Sequence, residues 1–317
     1  MIHIRSVSPP DLTPDLIQSL SNRPGVLNMI VLEGVARNPD GDSVQFDVIA
    51  AEANDVLHDL RASGVAQRGS IIIEDVGADL SNRANDAEAN APRALRLSPI
   101  WEQAEARIRA GGRYPPSWFA LLIIAGLIAA VGIFTNSQIL IVGAMVVGPE
   151  YAAVISVALG IHKHDHQRIR AGSAALFVGF LMAIIAAFVF SLVVRVFDLE
   201  STAFSRGIRP VSSLINTPDV FSVVVATLAG IVGVVSLVEA RAGALIGVFI
   251  SVTTIPAAAD IGVSIAFENW SEARGSLVQL LLNIAILVMV GAVGLVVQQH
   301  VWRRVARRAK RAEAGAP

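Results

Sequence analysis

The stretch Gln138–Ile161 reads QILIVGAMVVGPEYAAVISVALGI and predicts a membrane-spanning helix that is interrupted at its middle. Its length and apolar content suit a bilayer, which a helix crosses in about 20 residues. The interruption is Gly148-Pro149-Glu150. Pro149 leaves a carbonyl of the preceding turn without its helical partner, because proline has no N–H. Glu150 places a carboxyl group where a charge costs roughly 2–4 kcal/mol on insertion.

Two interpretations of this interruption remain open. Broken spans that carry a carboxylate form the substrate or ion sites of many transporters and channels. The alternative is a proline kink in which a protonated Glu150 is hydrogen-bonded to a neighbouring helix. We favour a functional site because ionisable residues inside membrane segments are functional candidates by default.

Composition places the whole chain among integral membrane proteins. Of its 317 residues, 54% are hydrophobic and only 16% are charged, whereas soluble proteins have about 25% charged residues. The net charge of −1 argues against a nucleic-acid partner. The chain has no cysteine, which excludes disulfides and thiolate metal sites. We expect no cofactor, and we expect the lipid bilayer as a partner.

Residues 1–77 predict a small α+β domain. Its strands are predicted at Met1–Val7, Val26–Val35, Ser43–Ala50 and Gly69–Val76, and its helices at Asp11–Asn22 and Ala53–Ser63. The order βαββαβ is that of ferredoxin-like domains. Such a fold names no ligand, so we expect a regulatory or assembly role. Residues 78–112 predict a polar linker and then an amphipathic juxtamembrane helix.

Residues 113–300 predict an all-α membrane domain, followed by a basic tail at 301–317. The six apolar segments are Trp118–Phe134, Gln138–Ile161, Ala171–Phe197, Val220–Val238, Ala242–Phe267 and Leu277–Val297. With six spans, the arginine-rich loops and the basic tail all fall on one side. The positive-inside rule then places both termini in the cytoplasm.

The second and fifth spans are similar to each other, which predicts two inverted repeats of three spans. Each carries glycines in its first half and a proline near its middle, Pro149 and Pro256. Each also carries one acid after the proline, Glu150 and Asp260. Inverted repeats are common among secondary transporters.

Hydroxyl groups precede the second proline. They belong to Ser251, Thr253 and Thr254. Together with the freed carbonyls and the two acids, they predict a site for a hard cation or a proton. The alternative for these hydroxyls is hydrogen bonding to carbonyls of their own helix beside a kink.

One further cluster has metal-ligand chemistry. His162, His164 and His166 alternate along a predicted loop and could share a metal ion. We favour a wet cytoplasmic loop and no metal site, because zinc sites normally draw ligands from more than one segment.

The run from Asn136 to Glu150, with its Gly-Ala-Met and Gly-Pro-Glu motifs, closely resembles the signature of the bacterial uncharacterised hydrophobic domain proteins, the domain-of-unknown-function family 389. Pro24-Gly25-Val26, Asp47–Leu60 and Gly69-Ser70-Ile71 fit the same family. The resemblance covers nearly the whole chain. It implies a bacterial inner-membrane protein of several spans and supplies no activity.

The sequence thus favours a transporter or channel for a small solute or ion, regulated or assembled by its cytoplasmic domain. The alternative is a membrane-anchored sensor or scaffold that transports nothing. We do not expect an enzyme, because the spans contain no serine–histidine, paired-aspartate or zinc-binding motif. A homo-oligomer remains open.

Overall fold

The computed structural model describes residues 1–76, 81–96, 98–207, 209–238 and 254–314. The chain divides into two compact units. One comprises Met1–Glu105 with Gln299–Pro317, and the other comprises Ala106–Gln298. Each unit is described by itself below.

A four-stranded antiparallel sheet forms the centre of the first unit. Its strands are β1 (Ile2–Ser8), β2 (Val26–Arg37), β3 (Asp40–Val48) and β4 (Ser70–Asp75), in the spatial order β2-β3-β1-β4. Ile4 lies opposite Phe46 on one side and Ile73 on the other. Because side chains alternate between the two faces of a strand, the apolar residues of β1 and β3 share one buried face.

Three helices contribute to the same core: α1 (Thr13–Ser21), α2 (Ala50–Ala62) and α3 (Val65–Arg68). The predicted order of strands and helices is observed, with the short α3 added before β4. Two helices follow in the chain, α4 (Asn82–Asn90) and α5 (Trp101–Gly111). The Asn54 side chain on α2 donates to the Pro99 carbonyl (2.9 Å) and accepts from the Trp101 N–H (3.2 Å), which attaches the start of α5 to α2.

The remaining helices follow in chain order. They are α6 (Pro116–Phe134), α7 (Gln138–Val147), α8 (Glu150–Lys163), α9 (His166–Val196), α10 (Thr202–Ser205), α11 (Pro210–Asn216), α12 (Val220–Val238), α13 (Ile255–Ala266) and α14 (Trp270–Ala314). In the described part of the chain, α6, α9, α12 and α14 are long and apolar enough to cross a membrane. The pair α7 and α8, bent by 53°, is a fifth candidate. This is the pattern of a multi-pass membrane protein.

The predicted fifth span, Ala242–Phe267, lies partly outside the described residues. Its described part is α13, which has 12 residues. At 1.5 Å per residue such a helix is about 18 Å long, well short of the roughly 30 Å hydrocarbon core. The sixth predicted span is part of α14, which begins earlier than expected, at Trp270.

Helix α13 lies at the centre of the second unit, against α6, α7, α9 and α11. Every residue from Ile255 to Ala266 is buried except the half-buried Ile265. A helix that is apolar on all sides is stable only when surrounded. Gly262 permits a close approach to α9, because a Cβ there would lie 2.6 Å from the Ile184 carbonyl oxygen. The placement of α13 brings the predicted site residues to the interior.

Candidate functional site

The predicted interruption separates α7 from α8. Helix α7 ends at Val147, Gly148 has an extended backbone (φ −69°, ψ 128°), and α8 begins at Glu150. The Trp118 indole N–H donates to the Pro149 carbonyl at 3.2 Å, which satisfies one polar group at the break. The chain direction bends by 53° between α7 and α8.

Gly148 lies against the first residue of α13. A Cβ built on Gly148 would overlap the Ile255 side chain and crowd the Glu150 carboxylate. Glycine, which has no Cβ, leaves room for Ile255 at the break, and an alanine would require the ends of both side chains to shift. Since Ile255 precedes Pro256, the two proline-containing interruptions of the sequence meet in space.

The Glu150 side chain is fully buried and is bonded across this junction. The Thr254 hydroxyl, which is also fully buried, donates to Oε1 of Glu150 at 2.9 Å. Thr254 is the N-cap residue of α13. Negative charge near a helix N-terminus is favourable, because the peptide N–H groups there carry partial positive charge. We call Gly148, Glu150, Thr254 and Ile255 the Glu150 cluster.

A second buried carboxylate lies on α13 itself. The hydroxyls of Ser212 and Ser276 each donate to Asp260 at 2.6 Å, and the Ser264 hydroxyl lies 3.5 Å away. All four side chains are at most 2% exposed. We call these four residues the Asp260 cluster.

Polar groups continue beyond the Asp260 cluster. The Asn216 amide N–H of α11 donates to the Ser212 hydroxyl at 3.4 Å. Arg209, which directly precedes α11, forms a 3.4 Å ion pair with Glu272 of α14. The Arg209 guanidinium also lies 3.9 Å from the centre of the Phe204 ring, a favourable cation–π position.

The structure assigns the predicted site residues to two places. Gly148, Pro149, Glu150 and Thr254 meet at the α7–α8 break, with Pro256 next to Ile255. Asp260 lies six positions after Thr254, about 9 Å along the axis of α13, and has its own partners. The Thr254 hydroxyl is bonded to a carboxylate on another helix, whereas back-bonding within its own helix was the alternative. Ser251 and Thr253 lie outside the described residues.

The serine partners of Asp260 were not predicted as site residues. Ser212 falls in the segment 198–218, which the sequence indicates only as a mixed polar loop, whereas the structure has α10 and α11 there. The sequence does carry one signal: Pro210 is well placed for a first helical position. Ser276 lies in the first part of α14. The sequence predicts this segment as a loop between the fifth and sixth spans.

The histidine-rich turn connects α8 to α9. His162 is in the last turn of α8, His164 has a left-handed backbone (φ 56°), and His166 begins α9. Within the described ranges, no group of three or more His, Cys, Asp or Glu side chains could hold a metal ion.

Comparisons with known proteins agree with the predicted family. The family described as "Domain of unknown function (DUF389)" matches residues 145–289, a range that includes both clusters. This confirms the predicted resemblance over residues 145–289, whereas the N-terminal segments that resemble the family lie outside the match. An uncharacterized protein of Methanocaldococcus jannaschii is 24% identical over 163 residues, which are 51% of this chain and 48% of the relative. The alignment thus spans about half the length of that relative. No solved structure matches this chain.

Proposed function

We propose that this chain, which carries domain of unknown function 389, is a transporter or channel for a small solute or ion in the bacterial inner membrane. It crosses the membrane six times, in two inverted units of three spans, with both termini in the cytoplasm. Its N-terminal ferredoxin-like domain regulates or assembles the membrane part. No cofactor and no catalytic step are required.

One observation carries this proposal: α13 is buried along its length, its N-cap residue Thr254 is hydrogen-bonded to the buried carboxyl group of Glu150, and α13 itself carries the buried carboxyl group of Asp260. A protein that only anchors a cytoplasmic domain has no need of such groups, which are costly in lipid. Short helices that end inside the membrane and face polar groups are how transporters form their central sites. The strand order of the first unit supports the ferredoxin-like assignment.

The test is a flux screen on the purified full chain in liposomes, across small cations, anions and metabolites. We expect flux of at least one ion or solute.

Glu150→Gln and Asp260→Asn keep the shape of each side chain and much of its hydrogen bonding, so we expect normal expression and lost or altered flux. Ser191→Ala is the matched control, because Ser191 is equally buried and its hydroxyl donates to the Ala187 carbonyl of its own helix, α9. Full flux in the double amide variant would overturn the roles of both acids. No flux of any solute would favour a membrane-anchored sensor or scaffold.

A further inference from the structure

A polar cavity of about 300 Å³ lies between the residue that follows α5 and the connection of α8 to α9. Its lining includes the side chains of Arg109, Ser156, Asp165, Gln167 and Arg168, together with Gly112. Each of these side chains can form hydrogen bonds. Such a cavity favours a polar ligand, because an apolar one would leave the lining groups without hydrogen bonds.

Gly112 keeps the inner wall of this cavity open. A Cβ built on Gly112 would lie 2.9 Å from the Ser156 hydroxyl oxygen and 3.4 Å from Nη1 of Arg168. Because glycine has no Cβ, the hydroxyl and the guanidinium border the same space. Ser156 belongs to α8 and is only 2% exposed. A hydroxyl group at the wall of a cavity can donate a hydrogen bond to a ligand there.

The cavity lining carries a net positive charge, because it contains two arginines and one aspartate. The aspartate, Asp165, is the N-cap residue of α9, and its carboxylate accepts a 3.0 Å hydrogen bond from the Arg168 backbone N–H. The same carboxylate lies 3.4 Å from Nε of Arg168. A guanidinium has five N–H donors, so this contact leaves the Nη groups able to donate to a ligand beside Gly112. Arginine suits phosphate groups, since two of its N–H groups match two phosphate oxygens.

The cavity lies where two candidate membrane spans begin. Pro116 begins α6 shortly after Gly112, and His166 begins α9 directly after Asp165. Phospholipid headgroups lie at the ends of membrane spans, and the cytoplasmic leaflet is rich in anionic lipids. We propose that this cavity binds a phosphate group, either that of an anionic phospholipid or inorganic phosphate. The lipid source rests on the cytoplasmic orientation proposed above, whereas the site itself requires no transport activity.

The experiment titrates the delipidated full chain in detergent with phosphatidylglycerol, diacylglycerol or sodium phosphate and measures thermal unfolding. A ligand that binds the folded chain and not the unfolded chain raises the melting temperature. We expect a saturable rise with phosphatidylglycerol and none with diacylglycerol, which lacks the phosphate group. A rise of the same size with sodium phosphate, beyond that with sodium chloride at equal ionic strength, would identify inorganic phosphate as a sufficient ligand.

Arg168→Gln removes the guanidinium beside Gly112 and should move the midpoint of the rise to about tenfold more phosphatidylglycerol. Ser156→Ala removes one donor and should move the midpoint in the same direction. Arg170→Gln is the matched control, because Arg170 is an exposed residue of the same helix, lies outside the lining named above and loses the same charge. It should respond to phosphatidylglycerol like the wild type.

Equal shifts in Arg168→Gln and Arg170→Gln would mean that surface charge alone attracts the lipid, and they would overturn the site. An equal rise with diacylglycerol, or no rise with either phosphate compound, would overturn it as well. If Arg168→Gln does not fold, Arg109→Gln and Ser156→Ala carry the test. Unchanged midpoints in both of these variants would then reject the cavity as the phosphate site.

Discussion

The Thr254 hydroxyl donates a 2.9 Å hydrogen bond to the Glu150 carboxylate, between residues 104 positions apart in the chain. This bond joins the N-terminus of α13 to the start of α8. Since both residues are fully buried, water does not compete for the bond. Any displacement of α13 along its axis would break it or carry Glu150 with it. The bond therefore links the N-terminus of α13 directly to the break between α7 and α8.

Thr254→Val should remove this link at nearly constant volume. We expect a loss of about 1–3 kcal/mol in the free energy of unfolding, because the carboxylate of Glu150 loses a buried donor. Thr254→Ser keeps the hydroxyl and should lose less. Thermal unfolding in detergent measures both. Equal stability of the valine and serine variants would mean that the hydroxyl contributes nothing to the fold.

Gly148→Ala should be destabilising, since the added methyl group meets the ends of the Ile255 and Glu150 side chains, which must shift to admit it. Overpacking of this kind costs about 1–3 kcal/mol. Gly143→Ala, five residues earlier and within α7, is the matched control: a Cβ there has no neighbour within 4 Å, and alanine favours helix over glycine. Adding Ile255→Ala to Gly148→Ala should restore part of the stability. A Gly148→Ala protein as stable as the control would contradict the close packing of the break.

The local features of the fold could be read from the sequence because they depend on neighbouring residues. The strands predicted at Met1–Val7 and Ser43–Ala50 correspond to β1 and β3. The dipeptide Gly148-Pro149 predicted the break between α7 and α8, since glycine and proline act on their own backbone. The acid at position 150 indicated the candidate site, because a carboxyl group is rare in an apolar segment.

The partners of Asp260 could not be predicted in the same way. Ser212 and Ser276 lie 48 and 16 positions from Asp260, and both occur in polar segments where serine is ordinary. Only the packing of α11 and α14 around α13 brings their hydroxyls to the carboxylate. Periodicity also could not reveal that α13 is surrounded on all sides, because a buried helix and a lipid-facing helix are equally apolar.

The N-terminal domain should fold without the membrane part. A fragment of residues 1–77 contains the whole sheet and its helices, so we expect a soluble protein with a cooperative melt. A fragment of residues 1–105 should be more stable, because the Asn54 side chain bonds the segment before α5. Asn54→Ala should destabilise the longer fragment by about 1–3 kcal/mol and the shorter one less. Asn85→Ala, at an exposed position of α4, is the control. Equal effects of Asn54→Ala on both fragments would contradict the role of that contact.

Acid should weaken the same domain through an ion pair on its surface. Arg68 donates two hydrogen bonds to Asp11, at 2.7 and 2.9 Å, and these hold the pKa of Asp11 below its ordinary value of 3.8. A carboxyl group whose pKa is lowered by folding stabilises the folded state above its unfolded pKa, and this contribution is lost as the pH falls through the folded pKa. Urea unfolding of the 1–105 fragment should therefore show that Asp11→Asn lowers stability at neutral pH but not near pH 2. A penalty that is equal at both values would mean that the charge of Asp11 is not involved.

The orientation of the helices in the membrane can be tested with single cysteines, since the chain has none of its own. Six spans with cytoplasmic termini place Ser205, between α9 and α12, and Asn269, between α13 and α14, on the outer side. They place His166, at the start of α9, and Ala312, near the end of α14, on the inner side.

An impermeant thiol reagent added to intact cells should label Ser205→Cys and Asn269→Cys only. His166→Cys and Ala312→Cys should react after the cells are opened, which controls for accessibility. Labelling of His166→Cys in intact cells would contradict the six-span arrangement and, with it, the opposite orientation of the two three-span units.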